Sequence, residues 1–290
     1  MASGRTAFML AVAILMPQPK LEVSFWHHEL PIACITPLVF IQPGIEEFPG
    51  IGSGTGFFAS VGSDVYLITA RHCLQSSEPP MSVHQIAKTL TIPFELEGKT
   101  TSTNELIEFR QLTQLALDKT QTEFLDIVAL QVQPREHLRH QTLLKRAAKL
   151  PPTGLWLDGF VNSPIVSEAF NAKASLPFVI TGYPNKGTAT QVRYADETGN
   201  IPEVQTQAIV ISGNLRRSSL DHCLRLEDVN WPHGHEGLSG SPVFVKFGTR
   251  ESPRCALAGM VICGSTKKLN FIQISSIRQA IGHTSERSFN

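Results

Sequence analysis

A serine set among small residues carries the most specific chemical signal in this chain. Residues 237–242 read Gly-Leu-Ser-Gly-Ser-Pro, and an apolar run follows at once. A hydroxyl that attacks a carbonyl needs backbone N–H donors beside it, and glycines let the backbone turn tightly enough to aim those donors at a developing oxyanion. The segment therefore predicts Ser239 as a nucleophile, with the N–H groups of Gly237 and Ser239 as oxyanion donors. Taken alone, it also fits an ordinary turn before a strand.

A histidine at the end of an apolar run is the second candidate. Residues 65–70 read Val-Tyr-Leu-Ile-Thr-Ala, and Arg71 and His72 follow them. A strand that stops at a histidine places the imidazole at the rim of a sheet, where it can take the proton of a serine hydroxyl. A histidine alone is more often structural. The glycine-rich residues 52–58 before it lack the Gly-Lys-Ser/Thr of a phosphate-binding loop.

Asp126 completes the set, because it stands at the start of the apolar run 127–130. A carboxylate beside an apolar core is costly unless it accepts hydrogen bonds. A bond from the His72 imidazole would satisfy the carboxylate and fix the imidazole tautomer. The alternative is a solvent-facing aspartate at the start of a strand.

Three segments of the chain resemble the signature segments of chymotrypsin-like (trypsin-like) serine proteases. They are residues 69–73, 126–130 and 237–242, and their His, Asp, Ser order is also that of the family. The resemblance spans roughly residues 35 to 280. It implies an all-β fold of two six-stranded antiparallel barrels with a short C-terminal helix. It also implies serine endopeptidase activity, in which peptide bonds are hydrolysed through an acyl-enzyme intermediate.

The same resemblance implies a role for each site residue. Ser239 would be the nucleophile, His72 the general base and then acid, and Asp126 the residue that orients the imidazole. Gly237 and Ser239 would form the oxyanion hole, and His233 would lie near the floor of the primary specificity pocket. The edge strand that binds an extended substrate backbone would contain Val261, Ile262, Cys263 and Gly264.

The chain departs from the family at several positions. Cys73 has no partner among residues 52–60, so the usual disulfide there is expected to be absent. Leu238 replaces the acid that receives a freed N-terminus in the family's zymogen switch. His233 in place of an acidic residue does not support a preference for Lys or Arg. Residues 233–236 (His-Gly-His-Glu) are a weak metal signal, so we expect no metal and no cofactor.

The elements that must position these residues read as short strands. Apolar runs are bounded by Gly and Pro turns, a pattern typical of sandwiches and barrels. The runs are 38–41, 65–70, 127–132, 178–180, 208–211, 243–245 and 257–263.

The runs and the segments between them predict four parts of the chain. An N-terminal extension (1–34) precedes an N-terminal barrel (35–134) with His72 and Asp126. A helical linker (135–165) leads to the C-terminal barrel and closing helix (166–290) with Ser239. The linker is rich in Lys and Arg. This composition favours the solvated face of a linking helix, and a docking patch is the alternative.

Charge and cysteine content restrict the partners and the compartment. Lys plus Arg and Asp plus Glu both total 25, so no net field attracts nucleic acid or an acidic membrane. The apolar run 7–16 is about half the length of a membrane-spanning helix, and it lacks the usual cleavage site of a signal peptide. Five cysteines without paired spacing favour a reducing, cytoplasmic location, with secretion as the alternative. The expected partner is a polypeptide substrate.

Two other functions compete with the peptidase. An α/β-hydrolase esterase requires Gly-x-Ser-x-Gly, but residue 241 is Ser and no Asp follows Ser239. A catalytically inactive protease-like binding or regulatory module stays open, since a fold does not establish activity. The presence of all three triad residues favours catalysis.

Overall fold

A computed structural model describes most of the chain. It covers residues 32–40, 50–74, 89–94, 107–109, 111–114, 117–120, 126–132, 137–151, 155–163, 178–187, 190–193, 203–248, 253–265 and 267–286. The described residues are mostly β-strand, in two antiparallel units followed by a C-terminal helix. This confirms the predicted all-β fold of the chymotrypsin-like kind with a short C-terminal helix. Of the two predicted six-stranded barrels, the C-terminal one is closed and six-stranded, whereas the N-terminal unit is an eight-stranded sheet because further short strands pair at its edges.

The N-terminal unit is a curved eight-stranded sheet with the order β6-β4-β1-β2-β3-β8-β7, and β9 pairs in parallel with β2. A two-residue turn joins β2 and β3, with Gly62 at φ 60° as its first residue. The strands of the first half of the chain are β1 (Ile35–Phe40), β2 (Gly50–Val61), β3 (Asp64–Ala70), β4 (Leu90–Phe94), β5 (Ile107–Phe109), β6 (Gln111–Gln114), β7 (Leu117–Thr120), β8 (Ile127–Val132) and β9 (Ala148–Lys149).

The C-terminal unit is a closed barrel with the strand order β10-β13-β14-β17-β16-β15. Its core is aromatic: Phe178 and Phe271 are fully buried, and their ring centroids lie 6.2 Å apart. The strands are β10 (Phe178–Gly182), β11 (Thr190–Arg193), β12 (Glu203–Thr206), β13 (Ile209–Arg217), β14 (Cys223–Glu227), β15 (Pro242–Gly248), β16 (Pro253–Ser265) and β17 (Lys268–Gln273). The strands β11, β12 and β5 form a separate small sheet.

The helices are short. A 3-10 turn spans Arg71–Leu74, and the α-helices are α1 (His137–Arg146), α2 (Trp156–Val161) and α3 (Ile274–Glu286). No helix in the described ranges is long and apolar enough to cross a membrane. Residues 1–31, which include most of the predicted N-terminal extension, lie outside the described residues. The predicted division into four parts stays a prediction.

Within the predicted linker, the last basic residue of α1 turns inward. Arg146 Nε donates to the Ala33 carbonyl at 2.9 Å, and its Nη2 donates to the Ile35 carbonyl at 3.2 Å. The guanidinium carbon also lies 5.3 Å from the centre of the Phe58 ring. Arg146 therefore holds α1 against β1 and β2, whereas Lys145 beside it is exposed.

Candidate active site

His72 and Asp126 meet because the strands that carry them are neighbours. β3 ends at Ala70 and β8 begins at Ile127, and these two residues are paired. His72 and Asp126 therefore emerge side by side at one end of the sheet. The His72 Nδ1 and Asp126 Oδ2 atoms are 2.8 Å apart, which is hydrogen-bond distance.

Asp126 also holds the backbone of the turn that contains His72. The His72 N–H donates to Asp126 Oδ1 at 3.1 Å, and the Arg71 N–H donates to the Asp126 carbonyl at 3.0 Å. Asp126 itself has φ 60°, a left-handed conformation that Asp tolerates better than most residues. The carboxylate thus fixes both the ring and the main chain of His72.

The pair changes the acid–base behaviour of the histidine. The hydrogen bond to Asp126 is the main reason why the pKa of His72 lies above its ordinary value, and the neighbouring Cys73 thiol adds to the effect. Partial burial acts in the opposite direction. Since Nδ1 is bound to the carboxylate, Nε2 is the nitrogen that can exchange a proton with a reacting group.

The loop that carries Ser239 turns on two glycines in the left-handed region. Gly237 has φ 87° and Gly240 has φ 85°, which few other residues adopt. Space is also limiting, because a Cβ on Gly240 would overlap the Thr55 carbonyl oxygen. A Cβ on Gly237 would lie 2.5 Å from Asn185 Oδ1. This backbone path therefore requires glycine at both positions.

The peptide group between Glu236 and Gly237 has a fixed orientation. The Asn185 N–H donates to the Glu236 carbonyl at 2.8 Å, and Lys186 pairs with the Glu236 carboxylate at 2.8 Å. In a planar trans peptide the carbonyl and the following N–H point in opposite directions. The Gly237 N–H is therefore directed away from Asn185, and no described residue accepts a hydrogen bond from it.

The next donor is fixed in the same way. The Leu238 carbonyl accepts the Ser241 N–H at 3.0 Å, so the Ser239 N–H points to the opposite side of that peptide. Within the described ranges the Ser239 N–H likewise has no acceptor, whereas the Gly240 N–H donates to the Val261 carbonyl at 2.8 Å. As far as the described residues show, the loop thus leaves two donors unused, on the residues from which an oxyanion hole was predicted.

The Ser239 hydroxyl lies beside strand β16. Its Oγ donates to the Ile262 carbonyl at 3.3 Å, and the contacts of the described residues include no hydrogen bond between Ser239 and His72. The two segments are nevertheless adjacent, because the Cys73 thiol donates to the Ser239 carbonyl at 3.6 Å.

Cys73 is free, and a glycine stands opposite it. A Cβ on Gly54 would lie 2.5 Å from Cys73 Sγ, so the position that faces this thiol has no side chain. The thiol instead contacts the carbonyl of the Ser239 loop.

Beside the serine, the predicted substrate strand has an edge that no other described strand pairs. β15 pairs with β16 only as far as Met260, whereas β17 continues to pair with β16 as far as Ser265. A register shift between Val261 and Cys263 places a bulge at Ile262. Val261 is buried, Ile262 and Gly264 are half-buried and Cys263 is exposed. An unpaired edge of this kind can accept an extended peptide.

His233 lies on the 231–237 loop and is exposed. Its ring packs edge-on against Trp231, with centroids 5.1 Å apart, and it also lies close to Gly187. Its predicted place at a pocket floor stays a prediction. The nearby Glu236 is paired with Lys186, and the described residues contain no group of three or more His, Cys, Asp or Glu side chains that could hold a metal.

Two residues of the site were not predicted from the sequence. Thr55, within the glycine-rich segment 52–58, binds the Ser239 loop from the other barrel. Asn185 orients the Glu236 carbonyl. The only signal for Thr55 is a hydroxyl residue set between two glycines. Asn185 follows a Tyr-Pro turn and has no distinguishing signal.

Comparison with known proteins adds little to this geometry. No protein-family model and no curated protein matches the chain. Among solved structures, the crystal structure of tobacco vein mottling virus protease is similar over 83% of this chain and 77% of that chain, with 12% sequence identity and a TM-score of 0.32. A likeness this weak does not support a functional assignment.

Proposed function

We propose that the protein is a serine endopeptidase in which His72, Asp126 and Ser239 form the catalytic triad. The observation that carries the proposal is the 2.8 Å contact between His72 and Asp126, on a turn whose next residue, Cys73, is bonded to the Ser239 carbonyl. A general base oriented by a carboxylate, next to a serine with unused backbone donors, is the arrangement that acyl transfer needs.

The proposed reaction begins when the Ser239 hydroxyl turns to His72 Nε2. The imidazole takes the hydroxyl proton as Oγ bonds to the peptide carbonyl carbon, and the N–H groups of Gly237 and Ser239 bind the resulting oxyanion. The imidazolium then gives its proton to the leaving amine as the C–N bond breaks. Water, deprotonated by His72, releases the acyl group from Ser239 by the same steps in reverse order. Asp126 orients and stabilises the imidazolium through its bond to Nδ1.

The open edge of β16 supports a polypeptide as the substrate. An extended peptide can add to residues 262–264 as a further strand, with main-chain hydrogen bonds that do not depend on its sequence. The Ile262 carbonyl is bonded to the Ser239 hydroxyl. A substrate N–H that bonds to this carbonyl would release the hydroxyl toward His72, so substrate binding would assist activation of the nucleophile.

The alternative is a catalytically inactive protease-like module that keeps the barrels for binding or regulation. One observation favours it: the Ser239 hydroxyl is bonded to Ile262 and not to His72. If that contact persists when a peptide binds, the hydroxyl is not activated. The site would then hold a peptide without cutting it.

Cleavage of a peptide library by three purified proteins tests the proposal. We expect the wild type to cut, and Ser239→Ala to lower turnover by at least about 10³-fold, as removal of a triad nucleophile does. Ser241→Ala is the matched control, because Ser241 is a neighbouring buried serine whose Oγ has no hydrogen-bond partner among the described residues. Equal turnover by Ser239→Ala and Ser241→Ala would exclude Ser239 as the nucleophile.

The library also identifies the preferred residue before the scissile bond. We propose no preference for Lys or Arg, since His233 stands where an acidic residue would select them. A profile dominated by Lys or Arg at that position would contradict this part of the proposal.

A further inference from the structure

Thr55 of the N-terminal barrel is fully buried against the nucleophile loop of the C-terminal barrel. Its N–H donates to the Ser239 carbonyl at 2.8 Å, and its hydroxyl donates to the Gly237 carbonyl at 3.0 Å. The same hydroxyl accepts the Tyr183 N–H at 2.9 Å. The Thr55 carbonyl accepts a bond from Thr69 Oγ1 at 2.9 Å, which fixes Thr55 within its own barrel. One residue therefore joins three segments of chain.

The two bonds that Thr55 donates complete the fixation of the loop. Asn185 sets the peptide before Gly237, and the Thr55 hydroxyl sets the peptide after it. Glycine is the residue with the greatest backbone freedom, so its conformation depends on such external contacts. Without the hydroxyl, the carbonyl of Gly237 would lose the contact that orients the peptide after it, and the N–H of Gly237 could leave its position.

The bond from Tyr183 extends the effect to the neighbouring loop. Tyr183 begins the segment 183–187, in which Asn185 holds the Glu236 carbonyl. The Thr55 hydroxyl thus contacts the nucleophile loop directly and also supports the segment that orients it. A methyl group in place of the hydroxyl would break both bonds and leave the Gly237 carbonyl and the Tyr183 N–H unsatisfied.

We propose that the Thr55 hydroxyl is a positioning residue that sets the Gly237 and Ser239 N–H groups for oxyanion binding. The inference rests on the proposed peptidase function and adds to it a residue from the opposite barrel. Thr55 acts through the loop and does not touch the reacting atoms.

The test measures the second-order rate at which a fluorophosphonate probe labels three variants. Thr55→Val removes the hydroxyl at nearly constant volume, and we expect labelling to slow by at least about tenfold, toward the 10²-fold that a 1 Å misplacement can cost. Thr55→Ser keeps the hydroxyl and should label within about threefold of the wild type. Thr91→Val is the control. Thr91 is a buried threonine on strand β4, and its hydroxyl donates to the Val39 carbonyl at 3.1 Å. The Thr91→Val variant should be less stable than the wild type but should be labelled at the same rate.

A second measurement does not need an active enzyme. Hydrogen exchange of the Leu238 and Gly240 amides, which are bonded to the His235 and Val261 carbonyls, should accelerate in Thr55→Val and stay slow in Thr55→Ser and Thr91→Val. If the wild type is not labelled at all, the proposed function fails, and the exchange result then decides the role of Thr55 alone.

Two results would overturn the inference. One is equal labelling and equal exchange in Thr55→Val and the wild type. The other is an equal loss in Thr55→Val and Thr55→Ser, because Thr55 would then act through packing of its methyl group.

Discussion

The carboxylate that orients His72 also makes the imidazole harder to deprotonate. Asp126 binds Nδ1, so Nε2 faces the reaction, but the same bond raises the pKa of His72 above its ordinary value near 6.5. A general base must be neutral to accept a proton. The bond that orients the His72 imidazole therefore also shifts the pH range in which the imidazole can act as a base toward alkaline pH.

The pH dependence of fluorophosphonate labelling tests this coupling. Because the neutral imidazole is the reactive form, the labelling rate should rise with pH through a midpoint above about 6.5, the ordinary pKa of histidine. In Asp126→Asn the main cause of the raised His72 pKa is removed, so the midpoint should fall. The maximal rate should drop by about 10⁴-fold, because the tautomer is no longer fixed. A midpoint that is the same in both proteins would refute the role given to Asp126.

At the residue scale, the sequence predicted the contact between His72 and Asp126 but not the residues that position the Ser239 loop. Asp126 was predictable because a carboxylate beside an apolar run needs a partner. Thr55 was not predictable, since its hydroxyl partner Gly237 is 182 positions away along the chain. No sequence feature of a threonine in a glycine-rich strand predicts which residue accepts a hydrogen bond from its hydroxyl.

Among the elements, those with a strong apolar pattern were predictable. The run 127–132 coincides with β8, and the run 65–70 lies within β3. The small sheet of β11, β12 and β5 was not predicted, because a strand such as Thr190–Arg193 (Thr-Gln-Val-Arg) has no apolar periodicity. The bulge at Ile262 was also not predicted, since a register shift depends on the partner strand.

In the basic linker helix, charge alone does not tell which residue faces solvent: Lys145 is exposed, whereas Arg146 donates to the Ala33 and Ile35 carbonyls. Arg146→Ala should lower the free energy of unfolding by about 2–4 kcal/mol, because two carbonyls lose a charged donor and Phe58 loses a packing contact. Lys145→Ala should change it by less than about 0.5 kcal/mol, because Lys145 is exposed. Urea denaturation of both variants measures the difference. Equal effects of the two substitutions would show that Arg146 is not the anchor of α1.

At the scale of the whole molecule, the fold holds together without disulfides. None of the five cysteines, all of which lie among the described residues, forms a disulfide; four of them are buried, whereas Cys263 is exposed. Burial raises the pKa of the Cys223 thiol to about 11, and burial also raises the pKa of the Cys255 thiol above its ordinary value. The reducing, cytoplasmic location expected from the odd number and spacing of the cysteines stays a proposal.

Alkylation with iodoacetamide tests the distribution of these thiols. In the native protein we expect modification of Cys263 first, with Cys34, Cys223 and Cys255 protected until denaturant is added. Because Cys263 lies on the proposed substrate strand, its alkylation should slow peptide cleavage. Mass spectrometry of digested protein locates the adducts. Early modification of Cys34 would contradict the burial on which this prediction depends.

The two barrels meet at the site, and each supplies part of it. His72, Asp126 and Thr55 come from the N-terminal sheet, and the Ser239 loop and the β16 edge come from the C-terminal barrel. The bonds from Thr55 and Cys73 to the Ser239 carbonyl cross this boundary. The relative position of the barrels therefore determines whether the hydroxyl can reach the imidazole.

Mass-spectrometric localisation of a fluorophosphonate adduct tests the central claim most directly. The account predicts a single adduct on Ser239 in the wild type, and its loss in a folded His72→Ala variant, because an unactivated serine reacts little with the probe. An unlabelled wild type, under conditions that label a known serine peptidase, would contradict the account. So would an adduct on another residue, or equal labelling of the His72→Ala variant.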